Sequence, residues 1–172
     1  DYVGSVSVDH DPLGLERTVA LRTEGLAFSG RVDRIDERAG QAVIVDYKAG
    51  RSIPSETDAR SSLALALYAD ATARTLRKTC RRVELHHVPS GTVAAWEHSD
   101  DSIARHVRRA ESIGAEIAQT VEAIGQDDAL AGSDETFPAK PGSLCGWCDF
   151  RSHCPEGQRV EPSRQSWDGL PD

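Results

Sequence analysis

The feature that most constrains this chain is the run Ala42-Val43-Ile44-Val45, which leads without a break into Asp46-Tyr47-Lys48. An unbroken, β-branched run of this kind suits a strand buried on both faces, because a half-exposed strand would alternate apolar with polar. It calls for a sheet with partners on both edges and a layer packed against it. The run ends in charge. Side chains alternate along a strand, so Asp46 and Lys48 share one face at the point where the strand leaves the core. Charges emerging from such a segment either form an ion pair at a strand end or do chemistry there.

The neighbouring sequence supplies the partners. From Glu16 to Arg22 polar and apolar residues roughly alternate, Thr23-Glu24-Gly25 offers a turn, and Leu26 to Glu37 reads as the second arm of a hairpin. Arg38-Ala39-Gly40 is a second turn, giving a three-stranded meander. After the Gly/Ser/Pro-containing stretch Gly50 to Thr57, the span Asp58 to Lys78 has helical density of Ala and Leu, with Leu63, Leu67 and Ala71 spaced by four. Pro89-Ser90-Gly91 separates two strand-like runs, Arg82 to Val88 and Thr92 to Glu97. Ser99-Asp100-Asp101 then opens an amphipathic helix whose stripe is Ile103, Val107, Ala110, Ile113, Ile117, Val121 and Ile124. His86 and His87 occupy consecutive strand positions, so one is expected to face inward and the other outward. The expected fold is α/β, a mixed central sheet flanked by helices.

Asp33 lies in Gly30-Arg31-Val32-Asp33-Arg34-Ile35-Asp36, on the strand next to Asp46 and Lys48. One sheet face can then carry two carboxylates and an ammonium. Two carboxylates together repel, and a hard divalent cation with oxygen ligands, Mg2+ or Mn2+, would relieve the repulsion. Such a cation would hold a phosphate oxygen and acidify a water, with Lys48 orienting that water or balancing charge on the phosphate.

These residues carry a resemblance. Gly-Arg-Val-Asp-Arg-Ile-Asp, a turn, and Val-Ile-Val-Asp-Tyr-Lys-Ala-Gly look like the core of the PD-(D/E)XK nucleases, in particular the RecB-like exonucleases. The resemblance implies a restriction-endonuclease-like core, with Asp33, Asp46 and the Tyr47 backbone carbonyl as metal ligands and Lys48 as the catalytic lysine. It implies DNA, single-stranded or with double-stranded ends, as substrate, a role in repair or recombination, and a helicase subunit or domain as partner. Tyr68 matches the second half of the family's Gln-X-X-X-Tyr element, and Ala64 stands where the glutamine would be. Tyr68 is thus either a site residue or a half-buried core aromatic. No counterpart of the family's upstream helix, with its His or Glu, is evident before Gly14; His10 is not assigned to that role, and an N-terminal part is expected to be missing. Arg31, Arg34 and Arg51 are the candidate DNA contacts. A non-catalytic DNA-binding module of the same fold is the alternative.

Cys145, Cys148 and Cys154 have the spacing Cys-X2-Cys-X5-Cys, a strong metal signal. The pattern resembles the C-terminal clasp of RecB-like helicase-nucleases around a [4Fe-4S] cluster. A structural zinc, with His153 as fourth ligand, is the alternative. The fourth cysteine of that pattern, upstream of the first strands, is absent, and Cys80 lies elsewhere. One nuclease domain over residues 1–160 is expected, with the clasp at 137–155 and a flexible tail at 161–172. The net charge of -8 argues against a non-specific nucleic-acid coat but not against a nuclease. No apolar run reaches the ~20 residues of a membrane helix. With bunched cysteines and no secretory leader, the expected compartment is the cytoplasm.

Overall fold

A computed structural model describes residues 11–126, 136 and 138–160. His10, Phe137, Trp167 and the expected tail at 161–172 lie outside the described residues. The chain divides into two compact units, Asp1–Ile117 and Ala118–Asp172.

The first unit is built on a mixed five-stranded sheet in the order β1-β2-β3-β4-β5. Its strands are β1 (Gly14–Arg22), β2 (Ala27–Arg38), β3 (Gln41–Lys48), β4 (Cys80–His87) and β5 (Thr92–Glu97). The pairs β1/β2, β2/β3 and β4/β5 are antiparallel, and β3/β4 is parallel. The meander and the second hairpin follow the sequence expectation, with a helical crossover joining them. With its flanking helices this is an α/β fold consistent with a restriction-endonuclease-like architecture.

The crossover corrects one expectation. Instead of a single helix over 58–78 there are two, α1 (Glu56–Ser61) and α2 (Leu63–Leu76). Ser62 between them has extended backbone, φ -65° and ψ 111°, and its side chain accepts a hydrogen bond from Leu65 N. Seven residues earlier, Ser55 caps α1 through a reciprocal pair: its Oγ accepts from Asp58 N, and Asp58 Oδ2 accepts from Ser55 N at 2.7 Å. Each cap contributes about 1 kcal/mol, enough to favour two short helices with satisfied ends. Stripped of that break, Leu65, Ala66, Leu67, Ala69, Ala71 and Thr72 bury nearly the whole of α2 against the sheet.

The core lies between α2 and one face of the sheet, where Val19, Leu21, Val32, Ile35, Ile44, Val83 and Leu85 meet Leu65 and Leu67. Residues Val43 and Val45 on the other face of β3 are also buried, so β3 is apolar on both sides. Val32 and Ile35 are three apart on β2 yet share one core cluster. Strict alternation would send them to opposite faces. The slip falls at Asp33, which takes part in neither the β1 nor the β3 register while Arg34 takes part in both.

The long amphipathic helix is α3 (Asp100–Gln126). Ser99 caps it, its Oγ accepting from Ser102 N at 3.2 Å. Its apolar stripe is only half used: Ile103, Val107 and Ala110 pack on the core, whereas Ile113, Ile117 and Val121 are 39%, 59% and 63% exposed. No helix among the described residues is long and apolar enough to cross a membrane.

In the second unit, two 3-10 turns, Ser143–Trp147 and Arg151–His153, lead into the single-turn helix α4 (Pro155–Gln158).

Candidate functional site

β2 and β3 pair through main-chain bonds from Arg38/Gln41 up to Arg34/Val45 and then diverge. Asp33 bridges the divergence. Its Oδ2 accepts a hydrogen bond from Tyr47 N at 2.9 Å, so the carboxylate is held against the peptide that joins Asp46 to Tyr47. The irregularity in β2 thus does geometric work: a side chain takes the place of a ladder carbonyl, and one acidic group is delivered beside another.

Asp46 is three-quarters buried, and Lys48 Nζ stands 2.6 Å from its Oδ2. That oxygen is closed to solvent and makes no hydrogen bond, the ammonium meeting it as an ion-pair contact off the hydrogen-bonding direction. The register Asp46↔Leu85 and Lys48↔His87 places both charged residues on the α2 side of the sheet, at the end of the core. An acceptor that is buried, anionic and short of hydrogen bonds favours a cation.

Tyr68 comes to the same face from α2. Its ring lies over Gly30, where a β-carbon would clash with Cε1 and stand 3.2 Å from Cζ, and it packs on Phe28 with ring centroids 5.8 Å apart. Gly30 is needed here for close approach. The Tyr68 hydroxyl makes no hydrogen bond among the described residues. Asp46, Lys48 and Tyr68 are therefore carried on the α2 side of the sheet, and Asp33 reaches the peptide after Asp46 from β2.

The candidate arginines separate. Arg31 is exposed and pairs with Glu16 at 2.9 Å. Arg34 points to the opposite face, where Nε donates to Asp36 Oδ1 at 2.6 Å; that bond, against the opposing effect of burial, raises its pKa. Arg51 is exposed in the segment after β3. Arg34 is thus not brought to the carboxylates.

The face behind the site holds a charge network that the sequence does not announce. Glu84 is 2% exposed and accepts from Arg38 Nη1 at 2.6 Å and Nη2 at 3.0 Å, from Arg82 Nε at 2.6 Å and from His86 Nε2 at 2.8 Å. Burial pushes its pKa up, but the His86, Arg38 and Arg82 bonds outweigh it and hold the carboxyl at about 2. Two arginines and a histidine, from two strands, close this face over Glu84. His86 joins Glu84 on this face and His87 lies on the Lys48 face, so the two point to opposite sides as expected, but both are buried, at 7% and 3%, and neither faces outward to solvent.

The sequence profile of the PD-(D/E)XK nuclease superfamily matches residues 3–155. The chain belongs to this superfamily. Its name describes the acid, the second acid or glutamate, and the lysine, and here Asp33, Asp46 and Lys48 stand in that order on β2 and β3. PD-(D/E)XK proteins are typically nucleases and generally use divalent metals such as Mg2+. No curated protein matches the chain. Among solved structures, the crystal structure of SSO0001 is similar at 17% identity and TM-score 0.43, over 84% of this chain; the chain spans 60% of that one.

The two carboxylates fit a Mg2+-type ion. Among the described residues no three His, Cys, Asp or Glu side chains gather as a metal site. Mg2+ keeps several waters and is held by one or two carboxylates plus substrate phosphate, so the pair suffices for a site of that kind. The cysteine segment differs. Cys145, Cys148 and Cys154 are free thiols. Cys145 Sγ accepts from Gly142 N at 3.4 Å and Cys154 Sγ from Gly157 N at 3.3 Å. The three do not form, with one another or with His153, the metal shell that their spacing leads one to expect.

Proposed function

We propose that this chain is a metal-dependent deoxyribonuclease, a RecB-like exonuclease acting on DNA ends in repair or recombination, with residues 1–160 as its nuclease domain. The observation that carries the reading is the pairing of a fixed acid with an unsatisfied one: Asp33 held by Tyr47 N–H, and Asp46 Oδ2 buried without a hydrogen bond beside Lys48. Asp33, Asp46 and the Tyr47 carbonyl would hold Mg2+ or Mn2+. When bound, the ion supplies a Lewis acid for a phosphate oxygen and lowers the pKa of a water.

The chain's own residues do the rest. The Tyr47 amide fixes the direction of the Asp33 carboxylate before substrate arrives, which spares its ordering during the reaction. Lys48 balances the Asp46 charge at rest and, as the nearest cation, orients the attacking water or stabilises negative charge developing on the phosphate. Tyr68 presents a hydroxyl with no internal partner toward the DNA. Arg31 and Arg51, both exposed, are proposed phosphate contacts, and Arg34 is retained only as support for Tyr47 from behind.

The clasp is a separate proposal: Cys145, Cys148 and Cys154 bind a [4Fe-4S] cluster, or structural zinc, once a ligand beyond them is supplied. Its support is the cysteine spacing and the two amide-to-sulfur hydrogen bonds, which suit thiolates. A helicase partner and a cytoplasmic location are proposed from the resemblance.

The test is degradation of end-labelled linear single- and double-stranded DNA with Mn2+, Mg2+ or EDTA, against closed circular DNA and the Lys48→Ala variant. Metal-dependent loss of linear DNA, with circles spared and the variant at least about 100-fold slower, is expected. Cutting of circles at the same rate rejects the exonuclease reading. If the metal-loaded, folded protein binds DNA and leaves it intact, the chain is a non-catalytic DNA-binding module.

A further inference from the structure

His87 is the residue that the reaction scheme leaves out and the geometry brings in. It lies opposite Lys48 in the β3/β4 register, on the same face as Asp46 and Lys48. Its ring is buried and both nitrogens are engaged. Nε2 stands 2.7 Å from Gly50 O and Nδ1 2.6 Å from Ser90 Oγ. A carbonyl only accepts, so Nε2 carries a hydrogen and donates to Gly50 O, while Nδ1 meets the Ser90 hydroxyl. Ser90 in turn is held in the β4–β5 turn, 2.9 Å from Thr92 Oγ1 and accepting from Thr92 N at 3.3 Å.

Gly50 sits two residues beyond Lys48, where β3 has left the sheet and no ladder constrains it. The surrounding main chain is pinned at three points. Tyr47 N donates to Asp33, Lys48 O accepts from Val88 N at 2.9 Å, and Gly50 O accepts from His87. The first lies on β2 and the other two belong to the β4 side. Remove the third, and the chain from Ala49 onward loses its tie to β4, next to Lys48, whose half-exposed side chain pairs with Asp46 alone among the described residues.

We propose that His87 is a positioning residue: its buried imidazole ties the exit of β3 to the β4–β5 turn and so fixes the direction of Lys48 over the Asp33–Asp46 site. His87 itself touches neither substrate nor metal. The inference rests on Lys48 being the catalytic lysine, and the test separates the two.

Glutamine can place its amide N–H where Nε2–H stands, whereas leucine fills the space without a donor, so His87→Gln and His87→Leu differ in the one bond at issue. Cleavage kinetics are measured on linear DNA for both, alongside Lys48→Ala. In parallel, hydrogen exchange is followed at the amides of residues 49–53. His87→Leu is expected to lower kcat about tenfold with KM for DNA within about twofold, as loss of orientation does, and to speed exchange at 49–53 about fivefold. His87→Gln is expected to restore both. If the leucine variant fails to fold, His87→Met, which also fills the space without a donor, carries the same test.

Equal behaviour of the leucine and glutamine variants, or unchanged exchange at 49–53, overturns the inference while a dead Lys48→Ala leaves the nuclease reading standing. If the wild type cuts nothing, the nuclease reading fails on its own and the exchange measurement still decides whether His87 pins this segment.

Discussion

Replacing Glu84 with glutamine should expose the network behind the site through a stability difference that depends on pH. The carboxylate is 2% exposed and receives four hydrogen bonds from Arg38, Arg82 and His86, which hold its pKa at about 2 against an ordinary 4.5. A group with a depressed folded-state pKa stabilises the fold above its unfolded value, and that contribution is lost as pH falls toward the folded value. Between 4.5 and about 2 the difference is worth about 3 kcal/mol at pH 7, and roughly half of that remains at pH 3. Glutamine keeps the shape but abolishes the titration. Arg38 and Arg82 are 45% and 43% exposed, so on losing the carboxylate they turn to water rather than stay buried and unpaired. The cost should therefore stay near 3 kcal/mol and below the upper end for a fully buried pair. Urea unfolding at pH 7 and pH 3 measures it. The wild type should exceed Glu84→Gln by about 3 kcal/mol at pH 7 and about half as much at pH 3. A gap that is the same at both pH values, or under 1 kcal/mol at pH 7, refutes the reasoning.

Gly30→Ala should cost about 1 to 3 kcal/mol, because the added methyl displaces the Tyr68 ring from its seat; a melting curve together with cleavage kinetics would show both effects, and an unchanged melting temperature would count against that packing. Cys80 is buried and its pKa is pushed up by burial to about 12, so in native, metal-free protein iodoacetamide at pH 8 should label Cys145, Cys148 and Cys154 and spare Cys80. Reconstitution with iron and sulfide, or with zinc, should protect those three. Continued labelling in the loaded protein would remove the clasp proposal.

Strand periodicity made much of this protein legible in its sequence. The apolar run into Asp46-Tyr47-Lys48 marked the central strand, and alternation alone placed Asp46 with Lys48 and suggested Asp33 as their neighbour. What alternation could not show is how Asp33 gets there. A carboxylate substituting for a ladder carbonyl needs two strands to part at one particular residue, and nothing local signals it. The break at Ser62 was visible only as a polar pair, Ser61-Ser62, inside an Ala/Leu pattern that overrode it. Glu84 and His86 escaped for a related reason: polar residues at alternate positions of one strand do not show that Arg38, from another strand, folds over them with Arg82.

The fixing of Gly50 by His87 and of Ser55 by its own capping box has a consequence for how this scaffold can be changed. Four residues, Arg51, Ser52, Ile53 and Pro54, hang between those two posts, and the first three are exposed. Because loop-closure entropy grows only slowly, doubling such a span costs about 0.6 kcal/mol. Insertions or wholesale replacement there leave both posts and the strands behind them intact. Evolution or an engineer could rewrite the surface at those four positions while Asp33, Asp46 and Lys48 stay where they are.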